Sequence, residues 1–258
     1  MRLHVLGSGT ALPHPRRGAS GYALVAADGT ACLLECGPGS TRRWPAAGID
    51  FEAVRIVLVT HHHVDHCCDL PALLFGRNVP EPPVRSPLTL VGPAGHRAHL
   101  EGLEALFGAW IADRHGARTV EELRDGGRLV VPPFALEARE VRHIPGALGV
   151  RVRADGATVA FSGDSGPCEA LVELCRGVDL ALLECSHPSG RATTGHLTPE
   201  TAARTAVAAG VERLVLTHFY PACDAIDVAA EVRAAGYAGA LHLAEDGDVV
   251  ELAARGAA

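Results

Sequence analysis

The stretch AVRIVLVTHHHVDHCCDL, residues 53–70, constrains this chain more than any other. Its first part is an almost unbroken apolar run, the pattern of a strand buried on both faces. That run stops at Thr60, and four histidines and two aspartates follow before Leu70. His61 and His63 are two residues apart, so in extended chain their side chains point to the same side. Asp65 and His66 follow at once, where the chain is expected to turn into a helix. A solvated polar loop is the plain alternative. It is penalised by mutual repulsion on protonation and by desolvation beside an apolar strand. Imidazole and carboxylate donors packed this closely suit Zn²⁺ and related first-row ions.

The rest of the chain alternates short β-rich runs with helical stretches. LHVLG, YALVAA and ACLLEC read as strands near the start, and STRRWPAAG (40–48) as a short helix limited by Pro45. LPALLFG (70–76) and HRAHLEGLEALFGAWIA (96–112) read as helices, with a proline-rich connection at 78–87 and the strand LTLVG between them. GRLVVPPFALEAREV gives two β-runs broken by a proline pair, and GVRVRA with ATVAFSG a hairpin around Asp155-Gly156. PCEALVELCRG, TPETAARTAVAAG and DVAAEVRAAG read as helices, the second opened by a Thr198–Thr201 capping pattern and closed by Gly210. VDLALLEC and VERLVLTH read as buried strands, and GALHLAEDGDVVEL as a closing hairpin. This is the pattern of an α/β layered fold. No linker divides residues 1–258, so a single domain is expected, with 76–128 as a substrate-shaping or dimer-forming insertion or as plain scaffold. Polar residues recur at strand ends: Thr60-His61, Gly163-Asp164, Glu184 and Thr217-His218. In layered α/β folds chemistry collects where strand ends converge.

Composition bounds the function. A chain of 258 residues with net charge −7 lacks the cationic surplus of a dedicated nucleic-acid binder. Eight cysteines contain no Cys-x-x-Cys pair and several lie in apolar runs. Reduced, mostly buried cysteines in a cytoplasmic protein are therefore expected. The N-terminal apolar stretch is too short for a signal peptide, and no run suits a membrane helix.

The segment His61-x-His63-x-Asp65-His66 resembles the hallmark of the metallo-β-lactamase superfamily. RHIPGALGVRV with His143, FSGDSGP with Asp164 and LTHFYP with His218 follow in that superfamily's order. The resemblance implies a four-layer αββα sandwich with a dinuclear site at one edge. It implies that His61, His63 and His143 hold one divalent ion, that Asp65, His66 and His218 hold the other, and that Asp164 bridges them. Zinc is the first expectation, and such a site also accepts Mn²⁺ or Fe.

Finer motifs resemble the ribonuclease Z-like branch and its small phosphodiesterases. They are LHVLGSGTALPHPRRGASGYAL, LTLVGPAG, SGDSGP and GHLTPETAARTA. His196 matches a histidine of that family beyond its ligands, and Glu184 the acid that supports it. The implied reaction is attack on phosphorus by a hydroxide held between two ions, with Asp65, His196 and Glu184 as the catalytic residues. Bacterial ribonuclease Z carries a long tRNA-gripping arm between the third-ligand histidine and the bridging aspartate. Here His143 and Asp164 are only 21 residues apart. With the acidic charge, this favours a small phosphodiester such as a cyclic nucleotide over tRNA. A tRNA 3′ endonuclease acting through a partner or second subunit, a lactonase or thioesterase of the same fold, and a non-catalytic metal binder are the alternatives. A homodimer is expected, and no membrane partner.

Other side chains carry weaker signals. His62 either supports a ligand or lies at the surface. Arg16 and Arg17 either meet phosphate or are ordinary surface. His96 and His99 read as a solvated helix face, Cys67 and Cys68 as packing residues, and His4, His14, His115, His187 and His242 lack ligand-like spacing.

Overall fold

The computed structural model describes residues 1–79 and 84–252. Two seven-stranded sheets lie face to face with helices on their outer faces, the αββα sandwich that the resemblance implied. The first sheet contains β1 (Arg2–Gly7), β2 (Gly21–Val25), β3 (Ala31–Leu34), β4 (Val54–Leu58), β5 (Leu88–Gly92) and β6 (Arg118–Glu122), in that order. The second contains β7 (Arg128–Val131), β8 (Phe134–Glu140), β9 (Leu148–Ala154), β10 (Ala157–Phe161), β11 (Leu180–Glu184), β12 (Arg213–Thr217) and β13 (Ala240–Leu243). A last strand, β14 (Val249–Glu251), returns to pair with β1.

Period-two alternation explains the layering. Cys32, Leu34, Ile56 and Leu58 pack between the sheets with Val150, Val159, Leu180 and Leu182. Their neighbours Leu33, Val57 and Val59 face outward, onto Leu70, Leu73 and Leu100 of α2 (Leu70–Asn78) and α3 (His96–Phe107). On the other side Ala181 and Leu183 meet α4 (Glu169–Cys175), α5 (Pro199–Ala209) and α6 (Val228–Ala234). Strands buried on both faces cannot alternate with polar residues, which is why they read as continuous apolar runs.

Some sequence expectations needed correction. STRRWPAAG forms only a single 3-10 turn, Thr41–Arg43, shorter than the helix its pattern suggested. Pro45 has no N–H to continue it, and the Asp69 carboxylate takes the N–H groups of Gly39 and Thr41. The closing segment is not a hairpin. β13 pairs in parallel with β12 and β14 antiparallel with β1, so the chain crosses from one sheet to the other between them. The Asp246 side chain anchors the crossing on the N–H groups of Ser8 and Gly18. Helix α3 stops at Phe107, where Gly108 takes φ +63°. Strand β6 had no apolar signal because it lies at a sheet edge with exposed polar side chains. Within 76–128, β5 and β6 extend the first sheet in parallel and α3 packs beside them. Residues 80–83 of the proline-rich connection lie outside the described residues. Among the described residues no helix is long and apolar enough to cross a membrane. All eight cysteines are free and six are buried.

Candidate metal centre

Parallel strands point the same way, so their C-terminal ends meet along one edge of the sandwich. There β4 delivers Thr60 and His61, β10 delivers Asp164, β11 ends on Glu184 and β12 leads to His218. Leu148 N–H bonds to the Thr60 carbonyl across the two sheets at 3.1 Å. Gly163 makes that approach possible. It sits at φ +55°, and a Cβ there would lie 2.7 Å from the Leu148 carbonyl and 2.8 Å from Thr60 Oγ1. Helix α1 (Val64–Cys67) begins at once after His63 and brings Asp65 and His66 into the same edge.

All seven residues expected to bind metal converge. His61, His63, His143 and Asp164 place one donor atom each within 4.8 Å of one another, as do Asp65, His66 and His218. Asp164 joins the two groups. Its Oδ2 lies 3.9 Å from Nε2 of both His61 and His143 and 3.4 Å from His66 Nε2, while Oδ1 lies 3.3 Å from His218 Nε2. Asp65 Oδ2 lies 3.6 Å from His66 Nε2 and 3.5 Å from His218 Nε2. Ligands about 2.0–2.2 Å from a tetrahedral ion are about 3.3–3.6 Å apart, close to most of these spacings.

The rings are oriented from behind. His143 Nδ1 meets the Gly195 carbonyl at 3.0 Å, His61 Nδ1 meets Thr60 Oγ1 at 3.0 Å, and His218 Nδ1 meets Ser186 Oγ at 3.0 Å. Each such partner leaves Nε2 facing inward, the arrangement that fixes tautomer and ring angle in metal sites. His63 instead presents Nδ1, 3.2 Å from His143 Nε2.

This donor set fits divalent cations. His61 Nε2, His66 Nε2, His218 Nε2 and Asp164 Oδ1 are all buried with no hydrogen-bond partner. Four orphaned polar atoms turned into one space would be costly without a cation among them. Burial, with the neighbouring His66, holds the His61 pKa down at about 2, so its ring is the neutral, ligating form. At His66 burial works in the same direction, but the Asp164 and Glu35 carboxylates outweigh it and raise its pKa well above the ordinary value. Burial raises Asp164, and His218 and His66 more than reverse this, leaving it well below the usual carboxylate range. These acids call for positive charge at this point.

His196 and Glu184 form a second unit at its edge. His196 Nδ1 lies 2.9 Å from Glu184 Oε1, and Glu184 also accepts from the N–H groups of Ser165 and Ser186. Ser186 Oγ donates to Glu184 and reaches both His196 and His218. The Thr198–Thr201 capping box starts α5 two residues after His196 and holds the backbone there. Burial lowers the His196 pKa, but the hydrogen bond and charge of Glu184 prevail and raise it.

The sequence reading missed Glu35. It follows β3, the strand beside β4, with φ +67°, and it accepts from Thr60 N and Thr60 Oγ1. Its Oε1 lies 3.3 Å from His66 Nδ1. An acid closing an apolar strand run was the available signal. Ser186 and Tyr220 were missed too, the latter stacking on His187 beside His196 and His218. His62 points to α3, bonding His96 Nδ1 at 3.1 Å and stacking on His99. His96 is fully buried, which corrects the expectation of a solvated helix face. Arg16 and Arg17 pair with Asp224.

Comparison with known proteins agrees with this geometry. Residues 30–219 match the family model described as the beta-lactamase superfamily domain. A Mycobacterium leprae protein is 33% identical over 98% of this chain and 89% of its own length. The ribonuclease Z of Kineococcus radiotolerans is 33% identical over 98% of this chain and 96% of its own. The crystal structure of the metallo-beta-lactamase fold protein YhfI from Bacillus subtilis superposes with a TM-score of 0.84 at 21% identity, covering 96% of this chain and 98% of that one. Fold, convergent donor set and relatives agree: the chain belongs to the metallo-β-lactamase superfamily as a ribonuclease Z-like metal-dependent hydrolase.

Proposed function

We propose that the protein hydrolyses phosphodiester bonds in a small substrate, with a 3′,5′-cyclic nucleotide as its representative. The observation that carries this reading is the His196–Glu184 pair beside Asp164. His61, His63 and His143 would hold one divalent ion and Asp65, His66 and His218 a second, with Asp164 between them. Zinc is the first candidate and Mn²⁺ or Fe the alternatives. Such ions, when bound, lower the pKa of water and neutralise charge on phosphoryl oxygens. The protein's own groups do the rest. Asp65, held between His66 and His218, orients the attacking water. Glu184 engages His196 Nδ1 and leaves Nε2 to donate a hydrogen bond to a phosphoryl oxygen or a proton to the leaving oxygen. A lactonase or thioesterase would place less demand on such a donor.

The hairpin β9–β10 fills the interval between His143 and Asp164, which supports a small substrate. The ribonuclease Z relatives favour tRNA 3′ cleavage as the second reading. The eight free cysteines support action in the cytoplasm. The test is turnover by Zn²⁺- and Mn²⁺-loaded protein of a cyclic nucleotide, a precursor tRNA and an aryl phosphodiester, with Asp164→Ala as the blank. Cleavage of the small diesters alone is expected. Clean 3′ cleavage of tRNA would replace this reading with the second.

A further inference from the structure

A cavity of about 800 Å³ lies against the segment that carries His61, His63 and Asp65 and takes no part in the chemistry above. Its walls come from three helices. Cys67 and Cys68 end α1, Phe75 lies on α2, and Leu103, Leu106 and Trp110 lie on or just beyond α3. Among the described residues no carboxylate, guanidinium or amide side chain lines it; its ring nitrogens are those of His62, His99 and the Trp110 indole.

Two features connect this cavity with the site. First, His62 and Val64 line it, and they alternate in sequence with His61, His63 and Asp65. The same short segment presents donors on one side and the cavity wall on the other. Second, its volume falls in the range of sites that bury a small organic ligand, about 300–1,000 Å³. Its walls offer almost nothing to hydrogen-bond, so a polar occupant would lose its hydration without compensation. A nucleobase fills only part of such a volume.

We propose that this cavity is the subsite for a bulky apolar group of the substrate, an alkyl chain or extended aryl, joined to the ester cleaved at the adjacent centre. This rests on the phosphodiesterase reading and adds the class of substrate. The same face could instead be covered by a second copy of the chain, since Leu106 is 75% and Trp110 65% exposed. Continuity with the donor segment favours the substrate.

The experiment compares two diesters with one leaving group, 4-nitrophenyl methyl phosphate and 4-nitrophenyl decyl phosphate. We expect a KM at least about 30-fold lower for the decyl ester, with similar kcat, because buried methylenes add binding energy without altering phosphorus. Ala72→Phe, which fills the cavity, and Leu106→Glu, which charges its rim, should bring the KM ratio toward one. A second readout needs no metal. Trp110 emission should shift to the blue on titration with decyl methyl phosphate and not with dimethyl phosphate, while Trp44, 1% exposed, stays constant. Equal KM values with no response of Trp110 would overturn the proposal. So would a sedimenting dimer that Leu106→Glu dissociates and in which Trp110 is already shielded. A saturable Trp110 response, abolished by Ala72→Phe, with no diester cleaved would uphold the subsite and remove the phosphodiesterase reading instead.

Discussion

His196 Nδ1 lies 2.9 Å from Glu184 Oε1, and Glu184 is buried among the backbone N–H groups of Ser165 and Ser186. A carboxylate held on three sides cannot follow the ring, so the ring is held to it. Glu184→Gln should lower kcat about 10²–10³-fold with little change in KM. Bound metal, measured by atomic emission, should be unchanged. Glu184 raises the His196 pKa, so the alkaline limb of the rate profile should move to lower pH in the variant. A limb that does not move would show that His196 does not act as the proton donor.

Asp164 faces both donor groups: Oδ2 lies near His61, His143 and His66, and Oδ1 near His218. Asp164→Ala should reduce metal content below that of His63→Ala, which touches only one group. It should also abolish turnover. Chelation should lower the Tm of the parent protein and leave that of Asp164→Ala nearly unchanged, because a ligand stabilises only a state that binds it. Equal metal content in parent and Asp164→Ala protein would exclude the bridging role.

Gly163 combines a left-handed backbone with contact distances too short for any Cβ. Gly163→Ala should destabilise the fold by about 1–3 kcal/mol. The displacement falls one residue from Asp164, so activity should fall further than thermal stability does. Denaturant unfolding beside turnover at a fixed temperature separates the two.

Burial, with help from His62 and His99, pushes the His96 pKa down to about 3. The folded state keeps this ring neutral, whereas the unfolded chain protonates it near the ordinary 6.5. Its contribution is therefore present above pH 6.5 and is lost as pH falls toward 3, at up to about 1.4 kcal/mol per pH unit. His96→Gln should flatten the fall in stability between pH 6.5 and 4. Urea midpoints across that range measure it, and parallel curves for the two proteins would show that another group controls the acid limb.

The sequence by itself determined the layers and named the candidate donors. Runs such as RIVLV and LALLE had to be buried on both faces, and a helix had to cover each outer face. Seven metal-binding candidates were legible because donors at the ends of apolar strands have few structural uses. Glu35 and Ser186 escaped because a lone acid or serine at a strand end looks like any turn residue; only the parallel pairing of β3 with β4 and of β11 with β12 places them behind the histidines. The closing strands illustrate the same limit. Residues 240–251 read as a hairpin by pattern, yet β13 and β14 complete different sheets, because two open edges were available and pairing is decided by distant partners. Tertiary structure alone also decided that His62, Val64, Phe75 and Trp110 share one cavity. Local periodicity records which face of an element is apolar; which other apolar faces it meets depends on how the helices pack on the sheet.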